Sequence, residues 1–429
     1  MCSEKKVLII AYNFPPENSA MALQVFRRLK HLSTFGWNPT LLTRSLNGPI
    51  AAEGFPAHGK SEIRTIRIKG FDYVASYTFL KRFHLHKLLS LFIKLFAIPD
   101  DRIFWARKVY CYFKKHLAKE NFDIVYSVFR PGSSVLAGKW ISFLIKKPLI
   151  IDFFDEWASN PYNKTNIFDM IKQPVYALYE NKCVRTASAI IVSNECVRKL
   201  FLSRYPEEPP SKFVIIPNTY DEDEKFNTNI FNVCSYKRMK VFALGSFYEY
   251  RSPRPFLESL AKMADKDLVE LTFAGYNGEK DIINFIKSSS LSGSVKFASP
   301  ITRKGILRAL ASADLLLLMV PSYPGAEREN PSKLIEYLSS GRPILALAPV
   351  NSIPHKIIKD TGSGYFADIS DSTAVCDTLK HLIALWKEGS LKTHRKEDEI
   401  AKYSSLRAAE QVVAVLDGVC ANEPKNGKY

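Results

Sequence analysis

One short stretch of the chain has residue types and spacing suited to holding a nucleotide diphosphate. Ser332 and Lys333 follow a proline where apolar residues begin to recur at helical spacing, and Glu336 comes one turn later. Amides at a helix start bind anions, and a lysine adds a full charge. A carboxylate one turn on can accept both hydroxyls of a ribose. The pattern therefore indicates a diphosphate on the amides of Ser332, Lys333 and Leu334, with a ribose on Glu336.

The neighbouring residues predict a loop, a helix, a tight turn and a strand that would position these groups. Pro331 suits the first turn of the helix, where Ser332 could serve as a cap. Gly341 ends the helix, and residues 344–347 form a short apolar run typical of a buried parallel strand. The apolar face would consist of Leu334, Ile335 and Leu338. An ordinary amphipathic helix with an exposed lysine and glutamate remains the alternative.

The run NPSKLIEYLSSGRPILAL resembles the donor site of GT-B glycosyltransferases, specifically the retaining group 1 (GT4-like) family of bacterial polysaccharide enzymes. The resemblance implies that Ser332 and Lys333 hold the donor diphosphate and that Glu336 holds the ribose. The family has a further glutamate eight positions earlier, beside the transferred sugar. Arg328 stands there in this chain, so Glu327 or Glu329 would contact the sugar instead.

The first half of the chain resembles the same family at three places. Its opening, YNFPPENSAMALQVF, carries Ser19-Ala20 where the family has paired glycines near the ligand cleft. The loop residues Pro16, Asn18 and Ser19 are therefore expected at the acceptor or cleft, although Ser19 could cap the following helix instead. The run IPNTYD resembles an interdomain motif, which places Asn218 at the cleft.

Asp155 is the expected acceptor-side catalytic residue. It lies in the run DFFDEW after an apolar strand, and active-site groups of doubly wound sheets collect at the carboxyl ends of strands. The run resembles a pattern of the same family, which implies that Asp155 orients or deprotonates the acceptor. Asp152 is expected to hold local structure. The alternative is that Asp155 only caps the next helix. A turn at residues 130–134 leads into another helix start, which could be a second anion site.

The second half supplies expected donor contacts beyond the helix at 332. The run LGSFYEYRSPRPFLESL resembles the family's first strand-loop-helix unit, which carries a basic residue for the donor phosphates. Arg251 is the candidate, with Arg254 behind it, because a guanidinium can bind two phosphate oxygens at once. A solvated arginine is the alternative. Gly275 would permit close approach of the backbone to the base.

Composition limits the classes of partner. The chain has 429 residues, 46% hydrophobic, and a net charge of +17, which describes a globular protein with a polyanionic neighbour. No nucleic-acid-binding motif accompanies the charge, so we expect no nucleic-acid partner. The seven cysteines are odd in number and form no C-x-x-C pair, which argues against disulfides or zinc. Asp221 and Asp223 match a metal-binding spacing but lie in the expected linker, so neither metal nor cofactor is expected.

Residues 80–119 are rich in lysine and arginine, and residues 80–98 also form an apolar helical face. Such a segment suits the surface of an anionic membrane, although a helix packed on the domain with solvated lysines is the alternative. The sequence lacks a signal-peptide pattern at its start and a long uncharged apolar run. We therefore expect a cytoplasmic protein. Residues 80–119 further suggest peripheral attachment to the inner face of the plasma membrane.

Together these features predict an α/β protein of GT-B type, with two Rossmann-like, doubly wound parallel-sheet domains facing a cleft. The expected domains are an acceptor-side domain at 1–222, a nucleotide-sugar domain at 223–398, and a helix at 399–429 that crosses back. The expected activity is retaining, metal-independent transfer from a nucleotide-diphosphate sugar to a lipid-linked or saccharide acceptor in surface polysaccharide synthesis. The alternatives are a nucleotide-sugar 2-epimerase and an inactive, transferase-like binding protein.

Overall fold

The structure is a computed structural model that describes most of the chain. The described residues are 5–17, 19–46, 63–70, 81, 97–160, 167–224, 237–247, 252–276, 280–298, 302–320 and 322–422. The chain forms two compact units. The first runs to Pro217 and resumes at Ser405, and the second spans Asn218–Ser404. The two boundaries lie a few residues before and after those expected at 222 and 398.

The first unit is built on a seven-stranded sheet in the order β3-β2-β1-β4-β5-β6-β7. Its neighbouring strands all pair in parallel. Strands β1 to β7 span Lys5–Ile10, Trp37–Arg44, Arg64–Ile68, Ile124–Phe129, Leu149–Phe153, Ala189–Val192 and Phe213–Ile215. The central strands are almost wholly apolar because both of their faces are buried.

Helices cover both faces of this sheet. Helices α1 to α5 span Ala20–Leu29, Ile103–His116, Gly132–Ile145, Ile167–Thr186 and Glu195–Arg204, and short 3-10 helices span Ser33–Phe35 and Pro210–Lys212. Helices α2 to α5 share one hydrophobic core with the sheet, and α1 shares another with the last helix of the chain. This arrangement follows from right-handed crossovers, which place successive connections in one direction along a sheet on the same face.

The second unit is built on a six-stranded parallel sheet in the order β10-β9-β8-β11-β12-β13. Strands β8 to β13 span Met239–Phe247, Val269–Tyr276, Val295–Ala298, Leu315–Met319, Ile344–Ala348 and Gly364–Asp368. Helices α6 to α12 span Arg254–Ala261, Lys280–Ser288, Arg303–Ser312, Ser332–Ser340, Ile353–Thr361, Ser372–Lys387 and Glu397–Ala401, with 3-10 helices at Ala264–Leu268 and Ala326–Arg328. The two parallel, doubly wound sheets confirm the predicted fold class.

The last helix, α13 (Ser405–Ala421), belongs to the first unit. It packs beside α1, where Ala408, Val412 and Leu416 are buried. The Asp417 carboxylate accepts a hydrogen bond from the Trp37 indole at 3.0 Å. The end of the chain therefore completes the core on the α1 face of the first sheet.

A buried ion pair joins α1 to the strand that precedes the acidic run. One guanidinium nitrogen of Arg28 donates to both Asp152 carboxylate oxygens, at 2.7 and 2.8 Å. The other nitrogen donates to the carbonyl oxygens of Ile216 and Pro217. Asp152 is fully buried and also accepts from the Tyr126 hydroxyl. Asp152 therefore has the structural role expected for it, and its partner Arg28 joins the backbone of residues 216–217 to the sheet.

Gly275 sits where β9 runs beside an irregularity in β8, and we expect its replacement by alanine to be destabilising. Its φ is +81°, and an added Cβ would lie 2.3 Å from the Gly245 carbonyl oxygen. Strain of this kind costs about 1–3 kcal/mol, so Gly275→Ala should lower the free energy of unfolding by that amount in urea titration.

Gly293→Ala is the matched control for this prediction. Gly293 has no neighbouring atom within 4 Å of an added Cβ. Its substitution should change the free energy of unfolding by no more than about 0.5 kcal/mol. Equal stability of the two variants would contradict the expected clash at Gly275.

Candidate functional site

Helix α9 begins directly at the residues singled out in the sequence. Its N-cap is Pro331, which offers no side-chain acceptor, so Ser332 is the first helical residue and not the cap. The Leu334 amide donates to the Pro331 carbonyl at 3.0 Å and is already used inside the helix, and the Leu334 side chain is buried. The first turn carries no acidic residue. An anion at this helix start would therefore be held by Ser332 and Lys333, without the Leu334 amide.

Glu336 lies in a buried cluster that the sequence did not reveal. Its Oε2 accepts a hydrogen bond from Arg303 at 2.9 Å, and the side chains of Arg303 and Glu336 are 3% and 9% exposed. The same guanidinium donates through Nε to Glu224 at 2.8 Å and forms a second bond to that carboxylate. Arg303 is thus shared between two carboxylates. This contact fixes the position of Glu336 one turn inside α9.

The charges of the cluster favour an ionised arginine. Burial alone lowers the pKa of Arg303, but the carboxylates of Glu336 and Glu224 outweigh it, and the net shift is upward. One cation therefore faces two anions. The charged run before residue 225 was expected to be a linker, but Glu224 at its end is part of this buried structure.

Tyr337, the next residue of α9, anchors the helix start to the sheet. It is fully buried, accepts a hydrogen bond from the Leu244 amide at 2.7 Å, and donates to the Leu317 carbonyl at 3.3 Å. Burial raises the pKa of this hydroxyl, which keeps it protonated. Because Leu244 lies beside the irregularity of β8 and Leu317 lies in β11, Tyr337 holds α9 against both strands.

The loop before α9 contains both carboxylates proposed for the transferred sugar. Glu327 accepts from Arg328 at 3.0 Å and from the Gly325 amide at 3.1 Å. Glu329 accepts a hydrogen bond from the Tyr323 hydroxyl. Both carboxylates thus make contacts within the loop, and the Glu327 side chain is 47% exposed.

Asn218 contacts the same loop. Its amide nitrogen donates to the Asn330 carbonyl at 2.8 Å, and its side chain is largely buried. The amide oxygens of Asn218 and Asn330 are buried without a hydrogen-bond partner. Asn218, which was expected at the cleft, therefore lies beside the loop that leads into α9 within the second unit.

Two arginines, Arg251 and Arg254, were expected at the donor phosphates. Arg251 lies outside the described residues. Arg254 is the first residue of α6, and its guanidinium bonds to Glu258 at 2.8 Å and lies 4.8 Å from the Phe285 ring centre. The Arg254 guanidinium is therefore already engaged by a carboxylate of its own helix and by an aromatic ring. Gly275 is exposed at the end of β9.

In the first unit, Asp155 follows β5 at the carboxyl edge of the sheet and is 51% exposed. It lies 3.7 Å from the Arg130 guanidinium. The next described helix begins only at Ile167, so Asp155 does not cap it as the alternative supposed. Its exposure and position are compatible with contact to a ligand at this edge.

The second anion site expected at residues 130–134 is filled by the chain itself. Helix α3 does begin there, but the Asp100 carboxylate accepts from the Ser133 amide at 2.9 Å and the Ser133 hydroxyl at 2.6 Å. Burial raises the pKa of Asp100, and the bonds from Ser133 oppose that shift. A carboxylate of the chain therefore occupies the position expected for a bound anion.

A cavity of about 480 Å³ opens beside this helix start. Its lining includes Tyr12, Asn13, Asp100, Arg102, Arg130 and Trp157. Aromatic, amide and charged side chains of this kind suit a polar organic ligand with several hydroxyls.

The opening loop has a structural role at one of its three expected positions. Ser19 is the N-cap of α1 and accepts from the Ala22 amide at 3.2 Å, as the alternative supposed. Pro16 lies in the turn before it, next to Glu17, which pairs with Arg44 at 3.0 Å. Asn18 lies outside the described residues.

Within the described ranges, no three His, Cys, Asp or Glu side chains cluster as metal ligands do. Likewise, no helix that the structure describes combines the length and apolar character needed to cross a membrane.

Two units, each built on a parallel, doubly wound sheet with helices on both faces, define a protein of the GT-B fold class. Residues 238–384 match the family model described as Glycosyl transferases group 1. The match and the fold together identify the chain as a glycosyltransferase, as predicted. No curated protein sequence matches the chain.

Solved structures share the fold at low sequence identity. Sucrose-phosphate synthase from Thermosynechococcus elongatus is 14% identical, with a TM-score of 0.66 over 97% of this chain and 99% of that one. Anabaena Alr3699/HepE in complex with UDP-glucose is 13% identical, with a TM-score of 0.63 over 96% and 99%. A Listeria monocytogenes protein proposed to be a UDP-N-acetylglucosamine 2-epimerase is 12% identical, with a TM-score of 0.59 over 100% of both chains.

Proposed function

We propose that this glycosyltransferase moves a sugar from a nucleotide-diphosphate sugar to a lipid-linked or saccharide acceptor during synthesis of a surface polysaccharide. The observation that carries the proposal is the start of α9. Lys333 stands in its first turn, and Glu336 is fixed one turn later by Arg303. Anabaena Alr3699/HepE was solved with UDP-glucose, which supports a nucleotide sugar as the donor class.

The chemistry is displacement at the anomeric carbon with a diphosphate leaving group. Negative charge grows on that diphosphate as the bond breaks, and fixed cations and helix amides stabilise it. Lys333 and Arg251 are the proposed cations, and the amides of Ser332 and Lys333 add partial charge. The transfer is proposed to need no metal and to retain configuration by front-face attack, with the leaving phosphate helping to deprotonate the acceptor.

The acceptor is proposed to bind at the carboxyl edge of the first sheet. Asp155 stands exposed there beside Arg130, and the cavity lined by Asn13, Arg102 and Trp157 opens at the same edge. Asp155 would orient or deprotonate the acceptor hydroxyl. A lipid-linked acceptor would place the protein at the inner face of the plasma membrane, in the cytoplasm.

A panel of UDP-, GDP- and dTDP-sugars tests the proposal. Transfer or slow hydrolysis of one donor supports it. Interconversion of sugars without an acceptor would instead support the 2-epimerase alternative, whose fold this chain shares. Tight nucleotide binding without turnover of any donor would indicate an inactive binding protein.

Lys333→Ala is expected to reduce kcat by at least about tenfold, because a charge-assisted hydrogen bond to phosphate contributes about 1.5–3 kcal/mol. Lys333→Arg should retain part of the activity, since it preserves the positive charge. Steady-state kinetics with the accepted donor measures both variants.

Lys356→Ala, which removes an exposed lysine in α10, is the control and should retain wild-type kinetics. Wild-type turnover in Lys333→Ala would remove the lysine from the proposed mechanism.

A further inference from the structure

Large apolar side chains that remain exposed are concentrated on two helices of the first unit. Among the described residues, the exposed large hydrophobic side chains are Phe143, Leu144, Met170, Ile171, Leu178, Val350 and Leu406. The first five lie on α3 and α4, which pack against each other. Scattered exposed apolar residues need no explanation, but a local concentration of them marks an interaction surface.

On α4 these residues form a continuous stripe. Met170, Ile171 and Leu178 are 52%, 67% and 52% exposed, and the exposed Pro174 and Ala177 lie between them. The spacing of three or four residues places all five on one side of the helix. The opposite side carries Tyr176, Glu180, Cys183 and Val184, which are buried against the sheet. The stripe is therefore a second apolar face, additional to the one that the core requires.

Helix α3 extends this surface. Phe143 is 85% exposed and lines an open, mostly apolar cavity of about 590 Å³ with Tyr110, Trp140 and Thr186. Lys139, one turn earlier, donates to the Lys182 carbonyl of α4 at 2.8 Å. The rings of Tyr110 and Trp140 lie 6.2 Å apart and join α2 to α3. Helices α2, α3 and α4 thus form one continuous face on one side of the first sheet.

Basic residues predominate among the described side chains of this face. Its basic side chains are Arg107, Lys108, Lys114, Lys115, Lys119, Lys139, Lys146, Lys147, Lys172, Lys182 and Arg185. Within the described side chains of 103–119, 132–147 and 170–186, the only acidic residue is Glu180, which is fully buried and paired with Arg204. From outside these ranges, Glu207 pairs with Arg185. Exposed apolar side chains therefore stand among exposed cations that have few acidic neighbours.

We propose that the face of α2, α3 and α4 docks on an anionic lipid bilayer, with Phe143, Ile171 and Leu178 inserted among the headgroups. Apolar side chains gain by leaving water at the bilayer interface, and the surrounding lysines are attracted to anionic lipids. The charge argues against a second copy of the chain as the occupant, because two copies would bring like charges together. The proposal does not depend on the donor, the acceptor or the transfer reaction.

Flotation of the full chain with vesicles tests the proposal. One set of vesicles contains phosphatidylglycerol and phosphatidylcholine in equal parts, and the other contains phosphatidylcholine alone. The apolar variant is Phe143→Ser/Ile171→Ser/Leu178→Ser, and its control is Val350→Ser/Leu406→Ser, which removes exposed apolar side chains elsewhere. The charge variant is Lys115→Glu/Lys146→Glu/Lys182→Glu. Its control is Lys287→Glu/Lys359→Glu/Lys380→Glu, which reverses three exposed lysines of the second unit. Circular dichroism and thermal melting verify that each variant is folded.

The wild-type chain should float with anionic vesicles and not with phosphatidylcholine alone. The apolar and charge variants should each bind at least about tenfold more weakly, while both controls should bind like the wild type. Failure of the wild type to bind anionic vesicles at physiological salt would overturn the proposal. Equal losses in variants and controls would also overturn it. So would light scattering that shows a dimer dissociated by the apolar variant while its flotation is unchanged.

Discussion

Glu336→Ala is expected to lower kcat/KM for the sugar donor by about tenfold to a hundredfold, because a hydrogen bond to a charged group contributes about 1.5–3 kcal/mol. The loss should appear with the ribonucleotide donor and be much smaller with its 2′,3′-dideoxy analogue, which lacks the hydroxyls that the carboxylate would accept. Calorimetric titration of both nucleotides against both proteins measures this coupling. Arg303 retains Glu224 as a partner in the variant, so the fold should persist.

Glu270→Ala provides the matched control, since Glu270 forms an exposed ion pair with Lys296 at 3.0 Å in the same unit. Loss of an exposed pair changes stability by about 0–1 kcal/mol, and donor kinetics should stay at the wild-type level. An unchanged preference for ribose hydroxyls in Glu336→Ala would exclude this carboxylate as the ribose acceptor.

Arg303→Ala should have the largest effect on stability, with a loss of about 3–5 kcal/mol in the free energy of unfolding. The substitution leaves the carboxylates of Glu224 and Glu336 buried beside each other without their shared cation. Urea titration followed by fluorescence measures the loss. If the variant remains folded, its ribonucleotide affinity should also fall, because Glu336 loses the contact that fixes its position.

Two further substitutions make this prediction specific to the cluster. The double variant Arg303→Ala/Glu224→Ala should recover part of the lost stability, since it removes one of the two carboxylates that the guanidinium had faced. Arg308→Ala, which truncates an exposed arginine of the same helix, should change stability by no more than about 0.5 kcal/mol. A double variant less stable than Arg303→Ala would contradict the shared-cation explanation.

The fold could be predicted from the sequence because its signals are local. The apolar face of Leu334, Ile335 and Leu338 predicted α9, and all three side chains are fully buried. Gly341 predicted its end and does adopt a left-handed φ of +78°. These signals depend on the spacing of residues along the chain, and helix geometry converts that spacing directly into a buried face.

The contacts of the candidate site could not be predicted in the same way. Arg303 stands far from Glu336 in the sequence, and it lies in a different helix, α8, where it directly follows the N-cap Thr302. Glu224 belonged to a run of acidic residues that is typical of an exposed linker. The pairing of Arg303 with Glu224 and Glu336 depends on how two helices and a loop pack in the second unit. Residue spacing along the chain does not encode that packing.

Asp100 bears on how sites of this fold can change their ligand preference. Its carboxylate supplies, from within the polypeptide, the negative charge that the first turn of α3 would otherwise draw from solution. Substitution of Asp100 by a smaller, neutral residue would leave the Ser133 amide available to a phosphate without moving any helix. A new anion site could thus arise in such enzymes through loss of one internal carboxylate, without a new helix or loop.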